Sequence, residues 1–168
     1  MSYTLPLSKE LPHRIACHIH FRKDKAECII DTACMNTLIP LFLAKKHGRR
    51  LNKTHTVVVG GGVYEATAYS FDNITLGGYR IPRLVAFCAN YTGILKTNVL
   101  LGLNVLNNLR YTISRNQDTF DFDINIWSLV QDKPYPFAMF FDMDDGMKPV
   151  YPSLLIEHEH EGADEGGA

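Results

Sequence analysis

Apolar and polar residues alternate along most of this chain with the two-residue period of half-buried strands. From Arg14 to Phe21, the side chains of Ile15, Cys17, Ile19 and Phe21 fall on one face and those of Arg14, His18 and His20 on the other. A polar turn at Lys23-Asp24-Lys25 leads to a second strand, Ala26 to Ile30, and the two read as an antiparallel hairpin. Thr54 to Val59 and Val63 to Tyr69 are β-branched or aromatic runs on either side of Gly60-Gly61-Gly62. That spacing predicts a second hairpin with a long, mobile glycine tip. Asn73 to Leu76 and Arg83 to Cys88 read as further strands around Gly77-Gly78, and Arg110 to Ser114 and Thr119 to Ile124 around the turn Arg115-Asn116-Gln117-Asp118.

Helical signals are few. Pro40 suits a first turn, Leu41 to His47 continue it, basic residues fill its last turn, and Gly48 is placed to end it. Asn98 to Gly102 is a buried strand closed by glycine, after which Leu103, Val105, Leu106 and Leu109 follow at helical spacing. Beyond about Asn125 the pattern gives way to an aromatic, proline-containing stretch with Trp127, Tyr135, Phe137, Phe140 and Phe141. The chain therefore divides into an N-terminal segment (1–13), a strand-rich domain (14–124), an aromatic extension (125–157) and an acidic, glycine-rich tail (158–168) expected to be disordered.

Composition narrows the function classes. A chain of 168 residues with 46% hydrophobic and 21% charged residues is long enough for one domain with a core. The net charge is −1, and the basic cluster Lys45-Lys46-His47 with Arg49-Arg50 reads as the solvated end of a helix, which argues against nucleic acid. No apolar run approaches the roughly 18 residues of a membrane span, and the first residues lack a signal-peptide core. Cys17, Cys28, Cys34 and Cys88 form no CxxC pair. Cys17 faces away from His18 and His20, so no metal site is expected. The expectation is a cytoplasmic protein without cofactor, metal or membrane.

One segment carries candidate chemistry. In Ile30-Asp31-Thr32-Ala33-Cys34-Met35 an acid leaves an aliphatic strand for a loop of small residues. A carboxylate there is costly to desolvate, which marks it for function. The plain reading is an Asx turn at a strand end. Cys34 reads as a core thiol, since no His is placed as its base.

Three segments, in this order, resemble the retropepsin-like aspartic proteases, the family of retroviral proteases and their single-lobe bacterial relatives. Ile29-Ile30-Asp31-Thr32-Ala33-Cys34-Met35-Asn36-Thr37 is similar to the family's hydrophobic-hydrophobic-Asp-Thr/Ser-Gly signature. The hairpin Val57 to Ala66, with Val59, Gly60, Gly61, Gly62 and Val63 at its tip, resembles the substrate-covering flap. Val99-Leu100-Leu101-Gly102 resembles the segment that threads beside the catalytic loop. The resemblance spans roughly Arg14 to Ile124.

It implies an all-β closed barrel of retropepsin type with one or two short helices, and a catalytic Asp31 supported by Thr32 and Ala33. Such proteases place a water between two carboxylates, one acting as base and the other as acid, and are the usual illustration of two acids sharing one proton. The Thr after the Asp hydrogen-bonds across the pair, a role that falls to Thr32. A single Asp-Thr signature then implies a homodimer, with Asp31 from each copy at a two-fold axis and a peptide or protein as substrate. Asp118-Thr119-Phe120 reads as a turn entering a strand and not as a second signature. The alternative is a catalytically silent homodimer that binds extended peptides or serves as an assembly module. Ala33 stands where the family usually has glycine. Its methyl fits if the local φ is negative and crowds the loop if φ is positive.

Overall fold

The structure, a computed structural model, describes residues 3–5, 14–76, 79–115, 122–129, 140–142 and 148–150. The strands and helices run β1 (Tyr3–Leu5), β2 (Ala16–Phe21), β3 (Asp24–Ile30), β4 (Leu38–Pro40), α1 (Leu41–His47), β5 (Arg49–Val59), β6 (Gly62–Leu76) and β7 (Tyr79–Ala89). A 3-10 turn at Gly93–Lys96 precedes β8 (Val99–Leu101), α2 (Leu103–Leu106), β9 (Leu109–Arg115), β10 (Phe122–Leu129), β11 (Phe140–Asp142) and β12 (Lys148–Val150). The expected Gly77-Gly78 turn, Asn116 to Asp118, most of the aromatic extension and the tail 158–168 lie outside the described residues.

The main sheet has the order β2-β3-β8-β4-β7-β6-β5, and a further pairing of β2 with β6 closes six of these strands into a barrel. This is the all-β barrel with two short helices that the sequence implied. The hairpin of β2 and β3 is in place, Ala16 facing Ile29 and Phe21 facing Asp24. A smaller antiparallel sheet, β1-β10-β9, joins the N-terminal strand to the C-terminal part, and β10 continues across Asn125.

Several expectations shift by a few residues, for physical reasons. The first turn is Arg22-Lys23, and Asp24 already belongs to β3, its carboxylate held by Lys46 and His47 at 2.6 Å each. Arg49 and Arg50 open β5 and are not the end of a helix. The strand β6 runs through the expected gap between Tyr69 and Asn73, keeping one register with β7 from Thr67 to Leu76, although Asn73 takes a left-handed φ of 57° within it. Leu109 belongs to β9, and α2 is a single turn.

Alternation buries both faces of the strands nearest the barrel's mouth. Cys17, Cys28, Ile39, Leu84, Val99 and Leu101 point into the main core. Their chain neighbours Ala16, Ile29, Leu38, Val85 and Leu100 point into a second core with Leu51, Phe87, Tyr91 and Leu95. A strand buried on both faces reads as a continuous apolar run, as in Val99-Leu100-Leu101. The second core holds up one side of the candidate site.

Candidate active site

The strand β8 lies between the two strands that the Asp31 loop connects. It runs parallel to β3, with Cys28 beside Val99 and Ile30 beside Leu101, and it meets β4 antiparallel at Leu38–Leu100. The chain leaving β3 at Asp31 must therefore cross the end of β8 before entering β4. Gly102 makes the crossing possible. A Cβ there would lie 2.6 Å from the Asn36 carbonyl carbon and oxygen and 2.8 Å from the Cys34 oxygen, all backbone atoms. Its φ is −99°, so the glycine serves clearance and not a left-handed turn.

Hydrogen bonds fix the loop on this crossing. Asp31 N–H donates to Leu101 O at 3.1 Å, Leu103 N–H to Cys34 O at 2.8 Å and Asn104 N–H to Met35 O at 2.9 Å. The Asn104 side chain is wholly buried. Its Oδ1 takes both the Thr37 N–H and the Thr37 hydroxyl at 2.8 Å, and its Nδ2 donates to Val85 O at 2.9 Å. Thr37 Oγ1 in turn accepts the Gly102 N–H at 3.1 Å. A buried polar network with its partners in place holds one backbone arrangement. Sequence reasoning missed Asn104 and Thr37. The signal was available, since Asn104 is a polar residue inside the apolar run Leu103, Val105, Leu106.

At the loop's start, Ala33 N–H donates to Asp31 Oδ1 at 2.9 Å, so the Asx-turn reading holds for that oxygen. Asp31 also lines a cleft of about 340 Å³ with Arg14, Ile29, Val59, Gly60, Tyr64 and Leu100, closed on a further side by Thr92 to Leu95. The walls are polar and apolar in about equal parts, and among the described residues no second carboxylate lines it. A larger cavity of about 580 Å³ lies beyond Tyr91 to Gly93, against Pro40, Phe42 and Lys96. Among the described residues no carboxylate lines it, and the smaller cleft is the one that contains the candidate acid. A recess of about 170 Å³, with Ala33, Cys34, His55, Val57 and Val58 in its wall, flanks the other side of the loop.

The residues singled out from sequence divide into three places. Asp31, Val59, Gly60 and Leu100 share the cleft. Thr32 and Ala33 are exposed on the loop, and Ala33 borders the recess. Leu101 and Gly102 lie behind the loop and position it, while Gly61, Gly62 and Val63 belong to the hairpin without lining the cleft. Arg14, Tyr64 and Thr92 join the cleft through the fold alone. Ala33 is not among the described non-glycine residues with positive φ, which are Arg22 and Asn73, so its methyl is compatible with the loop. Burial pushes the Cys34 thiol up to about 11, and the nearby Asp31 charge adds to the shift, which leaves little thiolate at neutral pH.

The glycine tip is shorter than expected. Only Gly60 and Gly61 form the turn, with φ of 58° and 78°, and Val59 pairs with Gly62 inside the ladder. Two left-handed residues match the twist of a tight hairpin.

The crystal structure of a retropepsin-like aspartic protease from Rickettsia conorii superimposes on the chain with a TM-score of 0.52, at 14% identity, over 74% of this chain and 98% of that one. The chain has a retropepsin-like fold. The retroviral protease-like domain of Ddi1 from Leishmania major also matches, with a TM-score of 0.42 and 14% identity over 72% of this chain and 97% of that domain. No family model and no curated protein matches the sequence. Within the retropepsin-like fold of this chain, the Asp31 loop, the glycine hairpin and β8 with Gly102 come together at one end of the barrel. No helix among the described residues is long and apolar enough to cross a membrane.

Proposed function

We propose that the protein is an aspartic endopeptidase that works as a homodimer, with Asp31 of each copy contributing one carboxylate to a shared site. The observation that supports it is the setting of Asp31: a carboxylate on a loop fixed by the Gly102 crossing, lining a cleft beside the glycine hairpin, in a retropepsin-like fold. One carboxylate cannot act at once as base toward water and as acid toward the carbonyl. The cleft supplies one, and Thr32 and Ala33 are exposed beside it, where a second copy would approach.

In the dimer, one Asp31 takes a proton from a water as its oxygen attacks the peptide carbonyl carbon, and the other protonates the carbonyl oxygen. Collapse of the tetrahedral adduct breaks the C–N bond, and a proton passes to the leaving nitrogen. The hairpin acts as the flap, covering an extended peptide and offering backbone hydrogen bonds. Thr32 hydrogen-bonds across the pair.

The test is cleavage of a peptide library by the purified protein and by Asp31→Asn. The expected result is cleavage by the first and none by the second, with the dimer intact in sedimentation. Cleavage that survives the substitution would refute the dyad. Binding of extended peptides by both proteins, with cleavage by neither, would assign the groove to peptide binding instead.

A further inference from the structure

The glycine hairpin has almost no anchoring at its tip. A side chain at Gly60 or Gly61 would meet nothing within 4 Å, and the cross-strand pair Val58 and Val63 is 72% and 70% exposed. Its placement over the cleft depends on the inward face of the arms, where Val57, Val59 and Tyr64 pack against the second core and Tyr64 is in addition hydrogen-bonded to the body of the barrel. Tyr64 Oη lies 2.7 Å from Thr92 Oγ1 and accepts the Thr92 N–H at 3.3 Å. The Tyr64 ring meets Tyr91 edge-on at 5.0 Å, and Tyr91 is buried with its hydroxyl donated to Phe87 O at 3.0 Å. Gly62, two residues earlier in β6, leaves the space: a Cβ there would lie 2.6 Å from Tyr64 Oη. The third glycine of the run thus serves to admit a tyrosine and not to loosen the tip.

Tyr64 and Thr92 both line the cleft that holds Asp31. We propose that Tyr64 is a positioning residue whose hydroxyl latches the hairpin to the Thr92 loop and so sets the height of the cleft over Asp31. The latch lies within one chain and needs no second copy. Its effect on catalysis rests on the peptidase reading above, whereas its effect on the hairpin does not. A peptide entering beneath the hairpin meets a roof already held in place, so less ordering remains to be done on binding.

Hydrogen exchange on the full chain tests the latch directly, using Tyr64→Phe, which keeps the ring against Tyr91, together with Thr92→Val and Thr92→Ser. Tyr64→Phe removes both hydrogen bonds and should speed exchange at the amides of Val57 to Glu65 by roughly 3- to 10-fold, and Thr92→Val, which keeps the backbone N–H donor, should speed it by less. β3 and β8 should exchange as before, and Thr92→Ser should match the parent. Unchanged hairpin exchange in Tyr64→Phe overturns the latch, even if Asp31-dependent cleavage is found. Faster exchange in a protein that cleaves nothing leaves the latch standing and removes the peptidase reading. If cleavage is found, Tyr64→Phe should raise KM more than it lowers kcat, and equal KM values would refute a role in positioning substrate.

Discussion

At Ala33 the chain carries a methyl where the resemblance led one to expect none, and the backbone explains why it fits. The local φ is not left-handed, so alanine costs the loop no conformational strain, and it restricts the unfolded chain more than glycine would. Ala33→Gly should therefore lower stability by about 0.4–1 kcal/mol in urea unfolding, without a gain in kcat from released strain. A variant both more stable and faster would show that alanine does strain the loop. The sequence posed this question and could not answer it, because a φ angle depends on where the loop is pinned. Asp31 itself was legible, since its strand, its hydroxyl neighbour and its small residues are contiguous. Its Asx-turn reading and its functional reading proved compatible, for one carboxylate oxygen takes the Ala33 amide while the group still lines the cleft.

Among the elements, β8 and the residues after it decide whether a site forms. Gly102 was legible as a glycine after an apolar run. Its partner, the Asn104–Thr37 pair, is separated by 67 positions, and no local period reports a contact of that kind. Gly102→Ala drives a methyl into the backbone of Asn36 and Cys34, neither of which is the end of a flexible side chain. We expect a loss of about 3 kcal/mol or failure to fold, read by thermal unfolding. Asn104→Ala leaves the Thr37 amide and the Val85 carbonyl without their buried partner, and should cost roughly 2–4 kcal/mol. A loss below ~1 kcal/mol would mean that water replaces the side chain there.

A second element-scale contact ties the first hairpin to α1. The Lys46 ammonium and then the His47 ring, both bonded to Asp24, hold its carboxyl below the ordinary value of 3.8. A depressed acid adds stability above the unfolded value and loses it as pH falls through the folded one. Asp24→Asn should therefore melt lower than the parent at pH 7, with the gap closing below about pH 4. A gap that does not narrow at all as pH falls below about 4 would mean that the side chain acts through packing and not through charge.

At the scale of the whole molecule, barrel closure was legible only as a class. Alternating runs give strands, but the pairing of β2 with β6 and the insertion of β8 between β3 and β4 join residues far apart in sequence. The same reasoning that left one carboxylate in the cleft of each chain makes the dimer a quantitative claim. If two Asp31 side chains form one site, every dimer with an Asp31→Asn copy is inactive, provided that copies exchange freely. Mixing equal amounts of parent and variant, after subunit exchange, should then leave wild-type pairs in only about a quarter of the dimers, so activity per total dimer falls to that fraction of the pure parent's. The dyad predicts a square-law dependence on the fraction of parent chain. A chain that works alone predicts a straight line, giving half the activity at equal mixing. Dilution supplies an independent check, because specific activity should fall as the dimer dissociates and should recover on concentration. A linear mixing curve with activity indifferent to dilution would show that a single Asp31 suffices, and the shared site would have to be abandoned.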